Sequence, residues 1–127
     1  MKMLKKISLT ILIFVYTCVG INHFRAPNGY IRIIPHYIPF PVFINTLSGI
    51  LEILFGVMLI FKLTRRFGAL GICLLLLAFL PVHIQMIIDA PFTLGTFRVT
   101  PLVAWVRLAL QPVLILWAWW YVKAERL

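Results

Sequence analysis

Four apolar runs, at residues 7–21, 43–61, 67–88 and 101–122, leave this chain few ways to fold. The last three are long enough to cross the roughly 30 Å hydrocarbon core of a bilayer as helices. The first is shorter and would span by tilt or local thinning. Of the 127 residues, 63% are hydrophobic, more than a soluble domain of this length could hide. The expected fold is all-α: an integral membrane four-helix bundle, with residues 1–127 as a single transmembrane domain. The net charge of +9 would suit a nucleic-acid binder, but the Lys and Arg residues flank the apolar runs. That is a topology signal, so the partner expected is the lipid bilayer and not nucleic acid.

Lys2, Lys5 and Lys6 precede the first run, as in a cleaved signal peptide. No small-x-small site follows, and three further runs do, so the segment reads as a first transmembrane helix. Val15-Tyr16-Thr17-Cys18 is a poor lipoprotein signal. Between Pro27 and Pro35, the segment Asn28-Gly29-Tyr30-Ile31-Arg32-Ile33-Ile34 reads as a short interfacial helix between spans one and two. Pro35 ends it and Pro41 suits the first turn of the next helix. Pro81 kinks the third span by leaving the Leu77 carbonyl without its usual donor. Residues 89–100 read as a loop. Eight Lys and Arg fall on the side of the N-terminus, the 62–66 turn and the C-terminus; Arg25, Arg32 and Arg98 fall on the other. The positive-inside rule then places both termini in the cytoplasm. Trp117, Trp119, Trp120 and Tyr121 fit an aromatic belt on that side, and Trp105 one on the outer side.

Glu52 stands near the middle of the second run. A carboxylate at such depth costs several kcal/mol unless neutral, paired or wetted, which makes it a functional-site candidate. Asn45, Ser48, Gly49, Glu52 and Gly56 share one helical stripe, small and polar, suited to helix packing. Glu52 lies about 13 Å below the outer end of its helix, Arg107 about 9 Å, Gln111 about 15 Å and His83 about 7 Å below theirs. His23 stands at the outer mouth of the first span, on a stripe with Tyr16 and Gly20. Polar groups from all four spans thus gather in the outer half. Two readings follow. In one, Glu52 and Arg107 form a structural ion pair backed by Gln111 and Ser48. In the other, Glu52, Arg107, Gln111, His23, His83, Ser48 and Asn45 line a ligand pocket. His83 and Gln85 cannot both face the bundle, and His83 is expected to face in. Glu52, His23 and His83 are a low-specificity metal set. Cys18 and Cys73 differ too much in depth to pair and read as packing residues.

Several segments together resemble the DoxX-like family of small bacterial membrane proteins. They are Gly20-Ile21-Asn22-His23-Phe24 with Pro27, Ile34-Pro35 through Pro39, Ser48-Gly49-Ile50-Leu51-Glu52-Ile53-Leu54-Phe55-Gly56, Thr64-Arg65-Arg66, Pro81-Val82-His83-Ile84-Gln85-Met86, and Arg107 with Leu110-Gln111. Members of that family tend to carry Asn where this chain has His83. The resemblance covers nearly the whole chain and implies a four-helix membrane bundle. It also points toward a quinone-linked oxidase, since the family takes its name from a subunit associated with one.

The functional expectation is a non-catalytic protein whose outer-half pocket binds a quinone or lipid-like ligand beside a membrane oxidoreductase subunit. An assembly factor or accessory subunit with a purely structural Glu–Arg pair is the first alternative. A small-solute or proton-coupled transporter is the second, and it would require an oligomer. No nucleophile–base pair, metal set or nucleotide loop supports an enzyme acting alone.

Overall fold

The computed structural model describes residues 2–123 and is mostly helical. The tail that adds Arg126 to the charge count lies outside the described residues. In chain order the elements are α1 (Met3–Arg25), α2 (Pro27–Ile33), α3 (Pro41–Met58), α4 (Arg65–Ala78), α5 (Leu80–Asp89), β1 (Phe92–Leu94), β2 (Phe97–Val99) and α6 (Pro101–Val122). Among the described residues, four helical segments are long and apolar enough to cross a membrane: α1, α3, α4 with α5, and α6. Large apolar side chains such as Phe14, Ile50, Leu74 and Leu116 cover their outer surfaces.

α1 packs along α3, α3 against α4, and α4 against α6, with α5 continuing beside α6. Small residues set these distances. A Cβ on Gly20 would stand 2.9 Å from the Gly49 carbonyl oxygen, and one on Gly49 would stand 2.8 Å from His23 Cβ. α1 and α3 therefore cross almost backbone to backbone, which is how small residues serve helix packing in apolar surroundings. Phe40, with φ 55 in the left-handed region that bulky residues avoid, turns the chain sharply into α3, and Pro41 opens that helix.

Two α-helical stretches share the third apolar run, because Phe79 interrupts it two residues before Pro81. The segment after α5, expected as a loop, holds a short hairpin in an otherwise helical chain. Residues 92–94 and 97–99 pair antiparallel through a two-residue turn in which Gly95 has φ 58. Glycine at the first central position is what such a turn asks for. Three-residue strands are too short to show alternation in a sequence. Val99 from this hairpin joins Met86 and Ala104 in a small outer core.

The larger core lies in the other half, where Leu9, Leu12, Leu59, Ile72, Leu76 and Tyr121 meet. There α6 is clasped to α1. Trp117 Nε1 donates to Ser8 Oγ at 2.8 Å and the Tyr121 hydroxyl lies 2.7 Å from the same oxygen. Tyr121 is fully buried, so it and Trp117 are inter-helix anchors, whereas Trp119 and Trp120 remain exposed as a belt would have them. The clasp also brings the lysine-bearing start of α1 to the same end as the finish of α6. In the α3–α4 turn, Arg65 donates through Nε to the Leu59 carbonyl at 2.8 Å and through Nη2 to that of Ile60 at 3.2 Å. It thereby satisfies carbonyls of the turn just past the end of α3.

The α1–α3 crossing makes a direct prediction. Gly49→Ala should lower stability by about 1–3 kcal/mol, because two backbones must separate. Gly29→Ala, where a Cβ meets nothing within 4 Å, should not. Thermal unfolding of the two purified variants in one detergent checks the contrast.

Candidate functional site

The Gly20–Gly49 crossing places the last turn of α1 beside the middle of α3. His23 is carried there on α1, and Asn45, Ser48 and Glu52 face it from α3; all four are buried. Their shared stripe follows from spacings of three and four residues. Glu52 is only 3% exposed. Its nearest polar contact is His23 Nε2, 3.1 Å from Oε2. The contact is close but not aligned as a hydrogen bond, and Oε2 has no other partner.

Asn45 determines which ring nitrogen of His23 carries hydrogen. Its Nδ2 donates to the His23 carbonyl at 3.0 Å, which turns Oδ1 toward the ring. Oδ1 lies 2.7 Å from His23 Nδ1. An amide oxygen only accepts, so Nδ1 is the donor. Nε2 then faces the carboxyl group. Either a carboxylic acid meets a neutral imidazole or a carboxylate meets an imidazolium. Both forms are neutral overall, as burial in an apolar bundle demands.

Tyr30 of α2 stacks on the His23 ring, with centroids 3.8 Å apart and planes 23° from parallel. Asn22 Nδ2 donates to the Tyr30 hydroxyl at 2.8 Å and holds that ring in place. The short helix thus covers the histidine. Neither Tyr30 nor Asn22 stood out in the sequence, because nothing in a proline-rich segment tells which helix an aromatic will cover. Tyr16 is buried two turns before His23.

Arg107 and Gln111 have a different task. Among the described residues no ion pair joins Glu52 to Arg107, so the expected Glu–Arg bridge is corrected to a Glu52–His23 contact. Arg107 Nη1 donates instead to Gln111 Oε1 at 2.7 Å, and Gln111 Nε2 donates to the Leu76 carbonyl at 2.8 Å. Leu76 lies in the turn that α4 loses to the break at Phe79. The fully buried Gln111 therefore repairs the broken helix, and Arg107 orients its amide. Arg107 and Gln111 fall on one face because they are four apart. What they face depended on where the third run breaks.

His83 points inward from α5 and is buried, with Nδ1 unpartnered and the Arg107 charge nearby. Gln85 turns away and donates to Asp89 Oδ1 at 3.0 Å. Of the seven residues expected in one pocket, His23, Asn45, Ser48 and Glu52 come together. Arg107 and Gln111 form a second group, with His83 nearer to it. No cluster of three or more His, Cys, Asp or Glu suited to a metal occurs among the described residues. Cys18 is exposed and Cys73 buried, and both are free.

Gln111→Leu should cost about 1–3 kcal/mol, since it strands a buried carbonyl as well as Arg107. Thermal unfolding checks it, and a stability equal to wild type would contradict the repair role.

A search of curated proteins and of solved structures finds no match to this chain. The sequence matches the family described as Domain of unknown function (DUF8561) over residues 12–122, from the middle of α1 to the end of α6, and the chain belongs to that family.

Proposed function

We propose that this protein is a multi-pass protein of a bacterial inner membrane, resembling the DoxX-like proteins. Its His23–Glu52 site binds the hydroxyl-bearing head group of a quinol or a chemically similar lipid-like ligand. The basic end of the bundle would face the cytoplasm and the site the outer leaflet. The observation that carries the reading is the buried Glu52 Oε2, left without an aligned hydrogen bond 3.1 Å from His23 Nε2. A quinol hydroxyl is a donor that such an oxygen lacks. Tyr30, stacked on His23, supplies an aromatic plate against which a quinone ring could also stack.

The pair can hold or release a single proton. A quinol loses protons and electrons together when it is oxidised, so a neighbouring oxidoreductase would have to take the electrons. This protein would act as the accessory that binds and orients the head group.

The close Gly20–Gly49 crossing favours a second reading, an assembly factor in which the His23–Glu52 contact only sets the register of α1 on α3. Packing that tight leaves no ligand space between the two backbones at that point.

Titration of the purified protein with a short-chain ubiquinol analogue separates the two. Binding to wild type, with affinity about tenfold weaker in Glu52→Gln, supports the quinol site. Equal affinity of both proteins argues for the register role. On that second reading, replacing His23 and Glu52 together by leucine should leave thermal stability close to wild type, because the buried polar pair would be lost as a unit.

A further inference from the structure

A second polar feature lies at the same end of the bundle, away from His23 and Glu52. A cavity of about 400 Å³ opens between α2, the 34–40 loop, the end of α5 and the hairpin, lined by Arg32, Ile33, His36, Met86, Asp89 and Phe92. That volume falls within the range of about 300–1,000 Å³ typical of small-ligand sites. Its charges are opposite and separate. Among the described residues, neither Arg32 nor Asp89 forms an ion pair, with each other or with anything else. Arg32 lies over the Phe92 ring at 5.8 Å, which holds the guanidinium at the wall. Asp89 is steadied through Oδ1 by Gln85, and Oδ2 has no protein partner among the described residues.

A cationic and an anionic side chain that line one cavity without pairing fit a zwitterion. Arg32 offers a planar fork of donors suited to phosphate, and His36 lines the same cavity. Asp89 is an acceptor suited to an ammonium that can donate hydrogen bonds. Ile33 and Met86 form an apolar floor. α2 reads as an interfacial helix and Asp89 is the last residue of α5, so the cavity stands where lipid head groups would be.

We infer that this cavity binds one phosphoethanolamine head group of a membrane lipid, its phosphate toward Arg32 and His36 and its ammonium toward Asp89. The inference rests on the membrane reading above and not on the quinol site. The choline head group is a poorer fit, since a trimethylammonium has no N–H for Asp89. The glycerol head group carries no cation at all.

The test uses the full chain in nanodiscs with equal mole fractions of phosphatidylethanolamine, phosphatidylcholine and phosphatidylglycerol, followed by native mass spectrometry. Wild type should retain one phosphatidylethanolamine about tenfold over either other lipid. Asp89→Asn should abolish the preference over phosphatidylglycerol, and Arg32→Gln should reduce retention of both. Each variant's thermal unfolding is measured alongside, since both positions are exposed and should leave the fold intact. Equal retention of the three lipids by wild type, or an unchanged preference in Asp89→Asn, overturns the inference while leaving the membrane reading standing. Retention of free phosphoethanolamine as firmly as the lipid overturns the lipid as the source. A protein that does not enter the nanodiscs overturns both readings.

Discussion

The structure depends on burying one carboxyl group in an apolar bundle. Glu52 is enclosed by α1 and α3, where an unpaired charge would cost several kcal/mol. His23 offsets that cost, and it can do so only because Gly20 and Gly49 let the two backbones approach so closely. Asn45 then orients the imidazole by holding both its Nδ1 and its own carbonyl. Tyr30 covers the ring from outside. Each of these positions would lose its purpose if Glu52 were a leucine.

A second constraint arises from the backbone. Proline in an apolar helix frees carbonyls that have no water to turn to. Pro81 deprives the Leu77 carbonyl of its donor, and next to it Gln111 from α6 donates to the Leu76 carbonyl at the break between α4 and α5. The same logic recurs in the α3–α4 turn, where Arg65 serves the carbonyls of Leu59 and Ile60 just past α3. Two residues that look like ligands in a sequence, Arg107 and Gln111, are thus committed to structure. The polar groups divide into a buried His23–Glu52 contact between α1 and α3 and a helix repair between α4 and α6.

The two ends of the bundle differ in kind. At the basic end, aromatic anchors on Ser8 and a large apolar core hold α6 to α1. At the opposite end a short helix, a hairpin and a small core surround the openings, and both proposed ligand sites lie there.

Helical spacing alone was enough to place Asn45, Ser48 and Glu52 on one face, to turn His83 inward and Gln85 outward, and to hold Cys18 and Cys73 apart. These depend only on period and rise, which are properties of any α-helix. The four apolar stretches likewise follow from composition. Which helices touch is not a local property, and there the tertiary structure decided. It paired Glu52 with His23 and not Arg107, because the glycine crossing joins α1 to α3 while α6 packs on α4. It gave Gln111 a carbonyl to serve, because the break falls at Phe79 opposite that residue. It set Tyr30 over His23, folded residues 92–99 into a hairpin, and left Arg32 and Asp89 facing one cavity unpaired. A sequence shows the faces its helices present; the partner of each face is set by packing between segments far apart in the chain.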